Sequence, residues 1–230
     1  MLKLYHQPLS ANSRRVWIAL LEKQLEFELV ELRLDGDHLQ PEFLALNPFH
    51  HIPVLLDDDF TVIESLAILD YLEAKYPTPT MLPKDPKALA KVRMVEMVTV
   101  NELMPAMTPL INRMMGFAGG DSQKIEAANQ KIATVLKFFD NLLGHHPYFG
   151  GEQLTLADIV AGSAVPILPI LGFSLIDNPK LSAWVESLMQ RPAWQTTHPT
   201  PEAIEAFKSR MQALMAQYQS ERSQWLVVSS

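Results

Sequence analysis

The sequence predicts two units: an α/β unit over residues 1–76 and an all-helical unit over residues 87–230, joined by a linker at residues 77–86. Three observations predict this. Short apolar runs alternate with helical spacings as far as Lys75. Four prolines crowd the stretch from Pro77 to Pro86. Beyond Lys87 no strand pattern appears, and apolar residues recur every three or four positions.

Leu2 to Tyr5 is a short strand that ends before Pro8. Ser13 to Glu22 carries Val16, Trp17, Leu20 and Leu21 at helical spacing. Phe27 to Val30 reads as a second strand, so the opening is β-α-β. Asp35-Gly36-Asp37 is a loop, and Pro41 starts a short helix that stops before Pro48. Ile52 to Leu56 and Phe60 to Ile63 form a hairpin around Asp57-Asp58-Asp59. A helix from Glu64 to Lys75 closes the unit.

In the second unit, Met94, Met97, Asn101, Met104, Thr108, Ile111 and Met115 mark one long helix. Pro105 and Pro109 should kink it, Gly116 breaks its pattern, and Gly119-Gly120 ends the run. A second long helix carries Ile125, Ile132, Leu136, Phe139 and Leu143. Thr155 with Asp158 reads as a capping box, with Asp in place of Glu, for a buried helix that follows. The apolar run Ile159 to Ile176 holds two prolines and two glycines, so it reads as core rather than membrane span. Leu181, Val185 and Leu188 mark a helix stopped near Pro192. Glu202 to Gln219 is a final amphipathic helix, with a loose tail after Ser220 that includes Trp225.

The 230 residues are 48% hydrophobic and 20% charged, enough apolar material for a sizeable core. The net charge of −7 excludes a general phosphate-backbone binder. Arg14-Arg15 and Lys87-Lys91-Arg93 are the local basic patches; the arginine pair reads as surface or interface. With no cysteine, disulfides, thiolate metal sites and cysteine nucleophiles are excluded. Any thiol must come with a substrate. The opening residues lack the long apolar region of a secretion signal, so a soluble, cytoplasmic protein is expected.

The segment Ser10-Ala11-Asn12-Ser13-Arg14-Arg15-Val16 follows the first strand. His38, Pro41-Glu42-Phe43-Leu44, Asn47-Pro48-Phe49-His50-His51-Ile52-Pro53 and Glu64-Ser65 come after it. In this order, and at close to the family spacing, they resemble the glutathione-site pattern of the cytosolic glutathione transferases, serine-type, phi- and theta-like. Leu154-Thr155-Leu156-Ala157-Asp158-Ile159 is similar to the family's capped core helix. The resemblance implies a thioredoxin-like N-terminal domain, an all-α C-terminal domain and a homodimer. It also implies transfer of the glutathione thiolate to small hydrophobic electrophiles, a detoxification reaction, with glutathione as co-substrate and no resident cofactor. Peroxidase or isomerase chemistry at the same site, or a non-catalytic interaction module, are the alternatives.

A free thiol titrates near ~8.5, so only a few per cent is thiolate at neutral pH. A serine hydroxyl at a helix N-terminus stabilises that thiolate by donating to it, aided by the helix dipole. Ser10 fits this role, Ser13 competes with it, and Tyr5 ranks third. The resemblance makes Pro53 cis, with Ile52 presenting backbone to the cysteinyl part of glutathione. It assigns Glu64 to the ammonium, Ser65 to the γ-glutamyl carboxylate, and His38 and His51 to the glycyl end. There the sequence departs from the phi-type pattern: Leu39 replaces a usual lysine and His51 a usual glutamine. Met107, Ile111, Met114 and Phe117, with Met104 and Met115, are the candidates for a soft apolar electrophile pocket. No metal site is expected, because adjacent His50 and His51 in a strand would face opposite sides. His145-His146 reads as a helix C-terminal pair.

Overall fold

The computed structural model describes residues 1–33, 36–117 and 122–228, with side chains to Gln217. Asp35 of the expected loop, the Gly119-Gly120 pair and the Trp225 side chain lie outside what is described.

Four strands form one mixed sheet in the order β2-β1-β3-β4: β1 (Leu2–His6), β2 (Phe27–Glu31), β3 (Val54–Asp57) and β4 (Phe60–Ile63). β1 runs parallel to β2, with Leu4 opposite Leu29, and antiparallel to β3, with Leu4 opposite Leu55. The parallel pair needs a crossover, and α1 (Ala11–Glu22) supplies it. α2 (Pro41–Leu46) leads into β3, and α3 (Ser65–Lys75) follows β4. Leu4, Val16, Leu20, Leu55, Ile68 and Leu72 are each fully buried between the sheet and the α1–α3 pair.

The segment after α3 is extended and pinned. Buried Lys23 donates to Glu73 at 2.7 Å and to the Tyr76 and Pro79 carbonyls at 2.7 and 2.9 Å. The second unit contains α4 (Pro86–Val98), α5 (Met104–Met115), α6 (Ser122–Leu143), α7 (Leu156–Gly162), α8 (Pro179–Met189), α9 (Pro192–Thr197) and α10 (Pro201–Val228). The expected single helix across Met94 to Met115 is instead two helices joined by a π-helical turn, Thr99–Leu103. Pro105 has no N–H for the carbonyl four residues earlier and crowds it, so the ladder widens just upstream. α10 continues helically to Val228, past the expected loosening after Ser220. α9 was not anticipated; Pro192 begins it rather than merely stopping α8.

α7 is the axis of the second core, and every one of its residues is buried. Its capping box is complete, with Asp158 accepting from Thr155 N at 2.8 Å. After Ser163 the chain tightens into a 3-10 stretch, Val165–Leu171, that carries Pro166 and Pro169. Among the described residues no helix is long and apolar enough to cross a membrane. The two units meet along α1, which packs on α3 and also on α7 and α9. Across that seam Arg191 grips Glu22 with Nε at 2.9 Å and Nη2 at 2.5 Å.

At Gly162 the α7 backbone touches Leu188 and Trp194, whose indole N–H donates to the Gly162 carbonyl at 2.9 Å. An added Cβ would sit 2.7 Å from Leu188 Cδ1 and 3.0 Å from the indole. Gly162→Ala is therefore expected to destabilise the fold by about 1–3 kcal/mol, read as a lower denaturant midpoint with an unchanged slope.

Candidate active site

Two cavities meet at the start of α1. The first is a polar cleft of about 410 Å³ at the edge of the sheet. Ser10 and Asn12 form one wall, and Glu64 and Ser65 another. His38, His50, His51, Ile52 and Pro53 complete it. The second is an apolar cavity of about 270 Å³ between the two units. α5 lines it with Met104, Met107, Ile111, Met114 and Met115. Facing them are Leu9, Ala164, Ile167, Ile170, Leu171, Pro199, Ile204 and Phe207. Ser10 lines both cavities, and among the described residues it is the sole hydroxyl in the apolar one.

Ser10 is the N-cap of α1, and its Oγ accepts from Ser13 N at 3.3 Å. A hydroxyl has two lone pairs and one proton. The cap uses a lone pair, so the Ser10 proton remains available to an acceptor in the cleft. Ser13 is placed differently. It is fully buried, its Oγ accepts from Gln7 N at 3.3 Å, and it lines neither cavity. Tyr5 also lines neither, and its ring packs on Phe43 with centroids 6.1 Å apart.

The opposite wall is the start of α3. Glu64 precedes it with φ 66 and ψ 114, a conformation that costs a non-glycine residue about 1–3 kcal/mol. Ser65 opens the helix and is 9% exposed. Neither α1 nor α3 has an acidic residue in its first turn; α3 carries the Glu64 carboxylate at its N-cap, whereas the partial positive charge of the α1 N-terminus, capped by Ser10, is left for an anion. The Ile52–Pro53 bond is cis. Asn47, 1% exposed, organises the segment before it: Nδ2 donates to the His51 carbonyl at 2.8 Å, and Oδ1 accepts from Phe49 N at 3.0 Å.

The expected glutathione contacts His38, His51, Ile52, Pro53, Glu64 and Ser65 thus line one cleft with Ser10. Asn12 and His50 line it too and were not singled out; His50 sits at φ 60, so it turns out of the strand pattern used to read the His pair. In the apolar cavity Met107, Ile111 and Met114 are present, and Phe117 is not. Gly116, at φ 76, ends α5, and Phe117 N folds back to the Asn112 carbonyl at 2.9 Å, which takes Phe117 off the helix face. The aromatic ring in the cavity is Phe207 of α10.

Of the two placements expected for Arg14 and Arg15, surface or interface, the structure shows the interface between the units. Both are fully buried at the seam, and burial pushes each guanidinium down to about 10, still charged at neutral pH. Arg14 ties α1 to the second unit through the Thr197 and Ser163 carbonyls at 2.9 and 3.0 Å.

A polar cleft at one end of the sheet thus lies beside an apolar cavity between the units, and Ser10 is common to both. The description "Glutathione S-transferase, N-terminal domain" matches residues 4–80, and "Glutathione S-transferase, C-terminal domain" matches residues 98–192. Glutathione S-transferase 3 of Zea mays is 37% identical over 210 residues, covering 85% of this chain and 92% of that one. Glutathione S-transferase F13 of Arabidopsis thaliana is 33% identical, covering 86% and 95%. Among solved structures, glutathione transferase F7 from Populus trichocarpa superposes with a TM-score of 0.76 at 31% identity, covering 86% and 97%. A delta-class glutathione transferase of Nilaparvata lugens gives 0.79 at 29% identity, covering 93% and 100%. The chain belongs to the glutathione S-transferase family, and it is a glutathione transferase.

Proposed function

We propose that this enzyme conjugates glutathione to small apolar electrophiles, as a cytoplasmic homodimer with a detoxifying role. Ser10 stabilises the thiolate in this reading. The observation that carries it is the position of Ser10 in the wall common to the polar cleft and the apolar cavity. Glutathione enters as co-substrate, its γ-glutamyl end at Glu64 and Ser65, its cysteinyl backbone at Ile52-Pro53 and its glycyl end toward His38 and His51. The thiol loses its proton to water, and the Ser10 hydroxyl donates to the resulting anion. A two-unit drop in thiol pKa requires roughly 2.7 kcal/mol of preferential thiolate stabilisation. The thiolate then attacks an electrophile held against the α5 methionines. In substitution on an aryl halide the carbon–halogen bond breaks and halide leaves. In addition to an isothiocyanate the nitrogen takes a proton from water.

Supporting an apolar electrophile, Ser10 is the only polar side chain among the described residues of the second cavity, and four of its thirteen other side chains named above are soft, adaptable methionines. Exposed Phe60, Met94 and Met97 offer apolar surface for a second copy. The test is conjugation to an aryl halide and to an isothiocyanate by wild type and Ile111→Glu. Ile111 is 37% exposed, so the substitution leaves the fold intact but sets a charge at the cavity edge. The electrophile KM should rise roughly tenfold or more, with the glutathione KM little changed. A rise confined to the glutathione KM would overturn the assignment of the two cavities.

A further inference from the structure

Arg15 projects from α1 into the seam and touches both subsites without lining either cavity. Nη1 donates to Ser65 Oγ at 3.4 Å, and Nη2 to Met104 Sδ at 2.9 Å. Its Nε, fully buried, has no partner among the described residues. Arg14, whose Nη2 is likewise buried without a partner among the described residues, differs in its acceptors. Arg14 closes on two backbone carbonyls, as an arginine that ties elements together should. Arg15 instead directs its donors at a cleft hydroxyl and a soft sulfur, and among the described residues no carboxylate bonds to it directly. The compensating charge is Glu96 of α4, 1% exposed, which attracts Arg15 electrostatically while one of its oxygens accepts from Arg93 at 2.9 Å. The other oxygen, Oε1, is buried without a partner among the described residues. A buried cation with so few strong acceptors lowers stability more than it adds. Its organising effect on Ser65 is the clearer consequence.

A guanidinium donates only, whereas a hydroxyl both donates and accepts. The bond between Arg15 and Ser65 can therefore run one way, with an Oγ lone pair taking the Arg15 proton. That turns the Ser65 proton away from the seam. We propose that Arg15 is a positioning residue for glutathione: it fixes the Ser65 hydroxyl as a donor to the γ-glutamyl carboxylate and places a fixed positive charge behind that carboxylate. The proposal rests on the reading of Ser65 as a glutathione contact.

The experiment is a double-mutant cycle on the full chain with Ser65→Ala, Arg15→Lys, Arg15→Met and the Ser65→Ala/Arg15→Lys pair. The glutathione KM, electrophile KM and kcat are measured for each, with thermal unfolding in parallel. The same set is run with a glutathione analogue that lacks the γ-glutamyl α-carboxylate. Each single substitution should raise the glutathione KM about tenfold, the loss of one hydrogen bond to a charged group. The double variant should be no worse than Ser65→Ala alone, and the preference of wild type for glutathione over the analogue should collapse in every variant. Arg15→Lys keeps the buried charge and carries the test if Arg15→Met does not fold. Additive losses in the double variant, or an Arg15 variant that keeps full discrimination against the analogue, would overturn the role of Arg15 and leave the cleft assignment standing. A Ser65→Ala enzyme with an unchanged glutathione KM would overturn both.

Discussion

Ser10→Ala should lose on the order of 10²-fold in kcat/KM at pH 6.5 while still binding glutathione, the usual effect of deleting one aimed donor at a developing or stabilised anion. The pH profile is the sharper readout. Stabilising the thiolate lowers the thiol pKa in the complex, so the fold-benefit is fully present below the lowered value and is lost as pH rises from there to the free value near ~8.5. Over that window wild type holds mostly thiolate and the variant holds little. Above ~8.5 both are ionised and the gap should narrow to roughly tenfold or less, the remainder measuring placement of the sulfur. The limb of the kcat/KM profile should accordingly move to higher pH by about two units in the variant. Ser13→Ala is the control. It deletes the acceptor for Gln7 N in a fully buried setting, so it should cost about 1–3 kcal/mol of stability and leave the pH profile unmoved. A loss in Ser10→Ala of equal size at every pH, or a shifted profile in Ser13→Ala, would remove Ser10 from the role of thiolate donor.

The contrast between these two serines shows what a linear sequence conveys. Both lie within four residues of one another at the start of a helix, and spacing alone ranks neither. Burial separates them, since Ser13 is enclosed with its Oγ accepting from Gln7 N and Ser10 lines the cleft. Strand–helix junctions at Ser10, Ile52-Pro53 and Glu64-Ser65 are marked by prolines, capping residues and changes of period, but those marks alone read as caps and turns; it was the resemblance to the family pattern that gathered them into one site. The apolar cavity was legible only on its α5 side, where three- and four-residue spacing picks out Met107, Ile111 and Met114. Its other wall comes from Ile167, Pro199, Ile204 and Phe207, some 60 to 100 residues further along the chain. No local period couples those residues to α5; only the packing of α10 and the 3-10 stretch does. The Arg14-Arg15 pair, expected at the surface or an interface, lies at the interface, and its depth of burial was what the sequence left out. Charged residues are almost never fully buried unless paired, so surface is the default reading. The seam between two units supplied the carbonyls that override it for Arg14.

Asp158→Ala should be the most damaging single substitution for stability, costing roughly 3–5 kcal/mol and preventing purification of folded protein near 37 °C. Its fully buried carboxylate gathers four donors. Oδ1 accepts from Phe149 N at 2.9 Å and from the Trp184 indole at 3.0 Å. Oδ2 accepts from Thr155 N and Thr155 Oγ1, both at 2.8 Å. Burial pushes this carboxyl up from its ordinary value, and the four donors pull against that push. Truncation leaves three N–H groups and a hydroxyl without acceptors in the core, and each orphan costs about 1–3 kcal/mol before relaxation. Asp158→Asn discriminates between a need for shape and a need for charge. The amide keeps the volume, yet either orientation sets its NH2 against two donors. The Thr155 hydroxyl can turn to accept, but the Thr155, Phe149 and Trp184 N–H groups cannot. The asparagine variant should therefore lie nearer to alanine than to wild type in a denaturant titration. If it matched wild type, the node would be held by packing of Phe149 against Phe139 and Trp184, with centroids 5.6 and 5.2 Å apart, and not by the carboxylate. Because α7 packs on α1, a loosened α7 should also loosen the base on which Ser10 stands. Marginally folded Asp158 variants are expected to lose kcat/KM in step with the folded fraction, with no shift of the thiolate limb.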